Sequence, residues 1–246
     1  MKFDLSLNPP LMNAAGSLGF SPSSRGSGMT AGLGAFITNP VSLAPRSPAQ
    51  NRGLQTFPGG FVLHTGHPNP GLKAVIRRHA PRWRRAQMPV IVHLLAQGDD
   101  EMAAMVQILE NLGGISAVEI GLPPEADKEL VARLVHAAVG ELPVLARLPF
   151  ERLLELAEAA TRAGAAAVSL GPPRGALPGP GGRLLSGRLY GPALFPLALA
   201  AVDSLAKDRI PVIGACGVYR PAHVEAMLAA GALAVQLDSA LWRGWQ

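Results

Sequence analysis

The 246-residue chain carries 22 Lys and Arg against 17 Asp and Glu, a formal net charge of +5, with 48% hydrophobic residues and one cysteine. That apolar content supports a large core and excludes disorder, and the lone Cys216 excludes a disulfide framework and a cysteine-based zinc or iron–sulfur site. The start, MKFDLSLNPP, has no apolar signal-peptide core. The longest apolar run, Ala193 to Val202, is broken by Pro196 and falls short of the ~20 residues that span a bilayer, so the expected location is the cytoplasm.

In chain order, Leu11 to Ala15 reads as a first strand and Gly19 to Ser27 as a loop, with a short helix running up to Gly32. Ala35 to Thr38 is a second strand. Asn39 to Pro70 shows no helical periodicity and is read as a long loop, the kind that is usually functional in a compact domain. A helix follows from Gly71 to Arg85, then a strand from Val90 to Leu95, then a helix from Asp99 to Leu112 with Asp99 or Asp100 as N-cap.

The rhythm then becomes regular. Strands are expected at Ala117 to Leu122, Val144 to Leu148, Ala166 to Leu170, Pro211 to Cys216 and Ala234 to Asp238. Helices are expected at Asp127 to Val139, Phe150 to Ala163, Pro192 to Lys207 and Pro221 to Ala230. Pro172 to Arg183 reads as a mobile basic loop able to close on an anion. Eight strands alternating with helices predict a single-domain α/β protein, a (β/α)8 barrel, in which the loops after the last two strands commonly hold a phosphate. The basic stretch from Arg77 to Arg85 reads as a solvated helix end. Nucleic-acid binding is not expected, because no recognition motif accompanies it.

The assembled segments resemble class 1 dihydroorotate dehydrogenases, FMN-dependent α/β barrels of pyrimidine biosynthesis. Met12-Asn13-Ala14-Ala15-Gly16 is similar to the family's MNASG, and Leu33 to Thr38 to its LGAxxTK strand. Pro58-Gly59-Gly60 with Gly66 to Gly71 resembles its PGG…GLxNPG substrate loop. Val118-Glu119-Ile120 stands at its ELN strand, and Leu189 to Ala193 resembles GLSGPA. Ile210 to Gly214 and Ala234 to Gln236 resemble the paired strands at the phosphate. The resemblance implies oxidoreductase chemistry, FMN held by Ala15, Gly16, Thr38, Asn39, Arg147, Gly191, Gly217 and Ser239, and a small substrate oriented by Asn69.

The departures fall where the chemistry should be. The loop Gly121 to Glu125 has no Cys or Ser to act as the base, so dihydroorotate oxidation is expected to be weak or absent; Glu125 is the nearest carboxylate. The family's two lysines are matched by Asn39 and Arg147, its strand-4 asparagine by Gly121, and two phosphate-facing glycines by Cys216 and Asp238. A non-catalytic binding or assembly subunit is therefore the alternative function.

Strand alternation places His93, Glu119 and Arg147 on inward faces, as a polar cluster with candidate catalytic roles. A Glu119–Arg147 pair is expected there, because buried charges are seldom unpaired. No metal site is expected from His64, His67, His79 and His93. After the last strand only Ser239 to Gln246 follow, so the helix that covers strands 8 and 1 in the family is expected to be lacking. Trp242 and Trp245 are then candidates to plug the resulting seam or to anchor a partner, in a homodimer or a complex with another barrel subunit.

Overall fold

The computed structural model describes residues 7–22, 29–243 and 245. Thirteen strands and six α-helices follow one another in the order β1 (Leu11–Asn13), β2 (Phe36–Ile37), β3 (Val41–Ser42), β4 (Gly53–Phe57), β5 (Gly60–His64), α1 (Leu72–Trp83), β6 (Val90–Leu95), α2 (Asp99–Glu110), β7 (Ala117–Gly121), α3 (Lys128–Ala138), β8 (Val144–Leu148), α4 (Leu153–Arg162), β9 (Ala167–Leu170), β10 (Arg174–Pro178), β11 (Leu184–Tyr190), α5 (Phe195–Lys207), β12 (Val212–Gly214), α6 (Pro221–Ala229) and β13 (Ala234–Leu237). Eight of the strands, in the order β1-β13-β12-β9-β8-β7-β6-β2, form the nearly closed parallel barrel that the βα rhythm predicts.

The barrel strands are short apolar runs because each is covered on both faces, by the helices outside and by the interior side chains within. Val75, Trp83, Met102, Leu109, Val131, Val135, Leu156 and Val202 bring the helices onto the outward strand faces. The inward faces begin, at the bottom of the barrel, with Met12, Ile37, Ile91, Ala117, Leu145, Ala167, Ile213 and Ala234. Helix ends follow local chemistry. Asp127 caps α3, its Oδ1 accepting from the Leu130 amide at 2.8 Å. Gly98, rather than Asp99 or Asp100, is the N-cap of α2, and those acids with Glu101 lie in the first turn, where the helix dipole favours them. The arginines of α1 face solvent, as expected.

Two expected loops are in fact ordered structure. The Asn39 to Pro70 segment contains β3, which pairs with β6, and the β4–β5 hairpin around Pro58-Gly59. The segment Pro172 to Arg183, read as a mobile basic loop, contains β10, which pairs antiparallel with the following β11, and β11 pairs antiparallel with β5. The resulting four-stranded sheet, β10-β11-β5-β4, stands beside the C-terminal mouth of the barrel. The short helix expected up to Gly32 lies partly outside the described residues, and Met29 to Gly32 form turns.

After β13 the described residues form a five-residue 3-10 turn, Ser239–Arg243. It does not carry Trp242 to the barrel wall. The indole Nε1–H of Trp242 instead donates to the Ser17 carbonyl at 2.9 Å, and its ring lies 6.3 Å from Phe61 and 6.5 Å from Tyr190, over the mouth. Trp245, half-buried, packs against the main core.

Closure of the barrel depends on one side chain. β1 and β2 share only the single bridge Met12↔Ala35 and the bond from the Gly34 amide to the Leu11 carbonyl. Beyond it, the fully buried Asn13 amide mimics a strand: its Oδ1 accepts from the Ile37 N–H at 2.9 Å and its Nδ2 donates to the Ile37 carbonyl at 2.7 Å. Asn13→Ala would strand both buried backbone groups, each costing ~1–3 kcal/mol. Urea unfolding should show the variant less stable by about 2–4 kcal/mol. A loss below about 0.5 kcal/mol would mean that the seam closes without this amide.

Candidate functional site

Counting up each strand in twos from the apolar bottom layer leads to a polar layer. Ile91 is followed by His93, Ala117 by Glu119, Ala167 by Ser169 and Ala234 by Gln236, all buried. Leu145 is followed in the same way by Arg147 on β8, and one step further along their strands come Gly121 on β7 and Asp238 beyond β13. The strand register decides which of these side chains meet. His93 pairs with Glu119 across β6 and β7, whereas Arg147 pairs with Gly121 and Ser169.

Glu119 is accordingly bound by His93 rather than by Arg147. Its Oε2 accepts from His93 Nδ1 at 2.6 Å, and its Oε1 accepts from Ser169 Oγ at 2.8 Å and Gln236 Nε2 at 2.6 Å. Burial alone would raise the Glu119 pKa. The His93 hydrogen bond, the charge of Arg147 and the Gln236 hydrogen bond outweigh it and hold the carboxyl at about 2. Burial lowers the His93 pKa, so the arrangement is a neutral imidazole donating Nδ1–H to a carboxylate. His93 Nε2 is then a lone pair directed to the mouth. It lies where Gly121 leaves space, since a Cβ at Gly121 would come within 2.6 Å of it. Gln236 Oε1 is buried without a hydrogen-bond partner among the described residues.

Above this layer lies a cavity of about 60 Å³, lined among others by His67, His93, Arg147, Arg174, Arg188 and Tyr190. A second of about 70 Å³ lies beside it, under Trp242, and shares His67, Arg188 and Tyr190. Arg147 makes one long hydrogen bond, from Nη1 to the Ala15 carbonyl at 3.4 Å. Arg188 reaches the mouth from β11. Burial, opposed by Tyr190 and reinforced by Arg147, Arg174 and Arg46, lowers its pKa to about 10, which leaves it a cation at neutral pH. Burial and then the Arg188 charge lower the His67 pKa to about 2, so this ring is neutral.

At the loops after β12 and β13, Gly217 has φ of +77°, and a Cβ there would come within 2.3 Å of the Phe195 amide nitrogen. Asp238 turns back on its own chain. Its Oδ1 accepts from the Ser239 N–H and hydroxyl, and it also accepts from the Ala240 backbone. Burial raises its pKa against these bonds. The Ser239 hydroxyl is bonded at 2.6 Å to Tyr219 as well.

Of the residues expected around a cofactor, Ala15, Gly16 and Arg147 line the mouth cavities. Thr38 lies beneath, its Oγ1 accepting from the His93 amide at 3.0 Å. Asn39 Oδ1 accepts from the Gly19 amide at 3.0 Å. Gly191 packs on the β4–β5 turn, with Gly59 O only 2.1 Å from where its Cβ would stand. Asn69 spends its amide on its own loop, accepting from the Ser42 and Gly71 amides and donating to the His67 carbonyl. Arg188, Tyr190, Ser169 and Gln236 complete the site. The alternation of Leu185, Gly187 and Leu189 with Ser186, Arg188 and Tyr190 is a strand signal that could have placed the first two.

The network makes stability depend on pH with a definite sign. The folded pKa of Glu119 lies below the ordinary value of 4.5, so its contribution is present above that pH and is lost as pH falls toward 2. His93, whose folded pKa is below 6.5, adds a loss in the same direction as pH falls through that value. Glu119→Gln should therefore be destabilised on the order of 3 kcal/mol at pH 7, with the gap to the parent narrowing toward pH 3. Urea midpoints for both proteins at pH 7, 5 and 3 test this. A gap that does not change with pH would place the charge elsewhere.

No family model matches the chain. Among curated proteins, the catalytic subunit of dihydroorotate dehydrogenase B (NAD(+)) from Desulforudis audaxviator is 31% identical, over 96% of this chain and 84% of that protein. A putative dihydroorotate dehydrogenase A (fumarate) from Aeropyrum pernix is also 31% identical, over 96% of this chain and 83% of its own length. The B-type catalytic subunit from Geotalea uraniireducens is 28% identical over comparable spans of 96% and 84%. With the parallel barrel and the segments at its mouth, these similarities establish that the chain belongs to the dihydroorotate dehydrogenase family.

Proposed function

We propose that this chain is a dihydroorotate dehydrogenase-like barrel, an oxidoreductase by descent, in which dihydroorotate oxidation is weak or absent. The observation that carries this reading is the filled mouth. Tyr190, Arg188, His67 and Trp242 leave spaces of about 60 and 70 Å³, while pockets for ligands of cofactor size run to ~300–1,000 Å³.

FMN, the cofactor that the family resemblance implies, does not fit these residues as they are arranged. The Ser239 and Ala240 amides that could face a phosphate are taken by the Asp238 carboxylate. A second anion beside that carboxylate would be repelled. His93 fills the space that Gly121 opens, and the mouth face of the loop after β7 is lined by Leu122 and Pro124, with no hydroxyl or thiol. Glu125 is exposed on that loop. What the residues do is hold a buried carboxylate–imidazole pair below a narrow, positively charged opening.

The alternative, a non-catalytic binding or assembly subunit, is favoured by apolar side chains that stay exposed on the second sheet, Leu54 and Leu184, and by Trp242 beside it. A homodimer or a complex with another barrel is the corresponding proposal. Sedimentation at micromolar concentration and co-purification from the native host test it, and a monodisperse monomer without a partner would overturn it.

Two measurements test the function itself. The purified protein should carry no stoichiometric flavin spectrum. With fumarate, NAD(+) or a dye as acceptor, it should oxidise dihydroorotate at least a hundred- to ten-thousandfold more slowly than its relatives, the usual contribution of a positioned base. Ordinary turnover would overturn the proposal. Separately, Asp238→Gly frees the Ser239 and Ala240 amides, so the variant should bind FMN more tightly than the parent does. Riboflavin, which lacks the phosphate, should gain nothing. An equal gain for both ligands would assign the effect of Asp238 to something other than the anion site.

A further inference from the structure

The mouth of the barrel holds more positive charge than its acids balance. Arg147, Arg174 and Arg188 line the cavity of about 60 Å³, and Arg46 lies close enough to act on Arg188 and His67. Each nearby carboxylate is already engaged. Glu119 is bound by His93, Ser169 and Gln236. Asp238 is bound by Ser239, and Glu151 accepts from the Arg174 backbone amide. Among the described residues, no ion pair within 4.0 Å includes Arg147 or Arg188. Arg147 has only its long bond to Ala15, and the Arg188 guanidinium has no hydrogen bond among those residues. Two half-buried guanidinium groups that raise each other's energy, facing one small cavity, form an incomplete arrangement that an anion would complete.

We infer that the mouth binds a small oxyanion, a carboxylate or a phosphate of a few heavy atoms, between the guanidinium groups of Arg147 and Arg188. The inference rests on the proposed reading that no flavin occupies the mouth. The planar forks of two arginines match the paired oxygens of such an anion, and a desolvated charge-assisted bond is stronger than a neutral one. The space favours a small ligand, since about 60 Å³ is far below the ~300–1,000 Å³ of pockets that enclose drug-sized molecules. The neighbouring rings suit an anion as well. His67 and His93 are neutral, so they add no charge to be neutralised, and His93 Nε2 can accept a hydrogen bond from a protonated ligand oxygen. Tyr190 at the edge supplies a hydroxyl whose pKa burial raises, so it stays a donor.

Titration calorimetry of the whole protein with acetate, oxalate and inorganic phosphate, each against chloride at equal ionic strength, tests the inference. Saturable one-to-one binding of a carboxylate or of phosphate is expected, with chloride giving none, and the separate arms tell the two oxyanions apart. Arg188→Gln and Arg147→Gln should each weaken that binding about ten- to a hundredfold, the usual cost of a lost charge-assisted bond. Arg188→Lys, which keeps the charge but not the fork, should fall between. Arg78→Gln, on the exposed face of α1, should bind as the parent does. The melting temperature of the parent should also rise with the logarithm of anion concentration. Binding that does not saturate, that chloride reproduces, or that survives Arg188→Gln unchanged would overturn the inference. A parallel FMN titration separates the two levels: stoichiometric FMN uptake overturns the underlying reading, whereas rejection of FMN together with absence of anion binding overturns this inference alone.

Discussion

The structure depends on how one buried carboxylate is satisfied. Glu119 lies at the centre of the barrel, beyond the reach of water, and its charge would cost several kcal/mol if it were left unpaired. Side chains from three other strands converge on it: His93 from β6, Ser169 from β9 and Gln236 from β13. These strands are far apart in sequence, so the interaction ties the two halves of the barrel through its axis. It also separates two chemistries, since below it the interior is aliphatic and above it the mouth is polar and cationic. The neutral form of His93 follows from burial, which disfavours the imidazolium more than Glu119 favours it, and the charges of Arg147 and Arg188 act in the same direction.

Much of the barrel was legible in the sequence, since a parallel strand buried on both faces writes itself as a short apolar run and a covering helix as a 3.6-residue period. The second sheet was not legible, because β5 and β11 pair across more than a hundred residues and lie in segments whose turns are rich in Gly and Pro. Local signals were nonetheless present. Pro58-Gly59 between two alternating runs is a hairpin signature, and Gly53 to Phe57 alternates between exposed and half-buried positions. Composition argued for loops and obscured both.

The inward set of the site followed from counting in twos along strands, which placed His93 and Glu119 together. It gave the wrong partner for Glu119, because alternation tells which face a residue occupies and not its neighbour. In-register pairing supplies the neighbour: it puts His93 opposite Glu119 on one side and Leu145 on the other, with Arg147 opposite Gly121. For Arg188, alternation could give the strand and the face it shares with Tyr190, but not what that face meets. Arg188 belongs to the antiparallel sheet, and only the docking of that sheet beside the barrel makes it line the mouth cavities.

The departures from the family pattern are physically consistent with one another. A glycine at position 121 leaves a void, and His93 fills it. An aspartate at position 238 adds a charge at the barrel rim, and the amides of Ser239 and Ala240 neutralise it within the chain. Trp242 and Tyr190 bring aromatic surface over the opening and stack loosely there with Phe61. Among the described residues the arginines at the mouth are less well satisfied, as is the buried Gln236 Oε1. Arg147 and Arg188 face one cavity, half-buried and without an ion pair within 4.0 Å among the described residues. A fold that compensates its other changes so locally has a physical reason to keep that pair only if something outside the chain meets it.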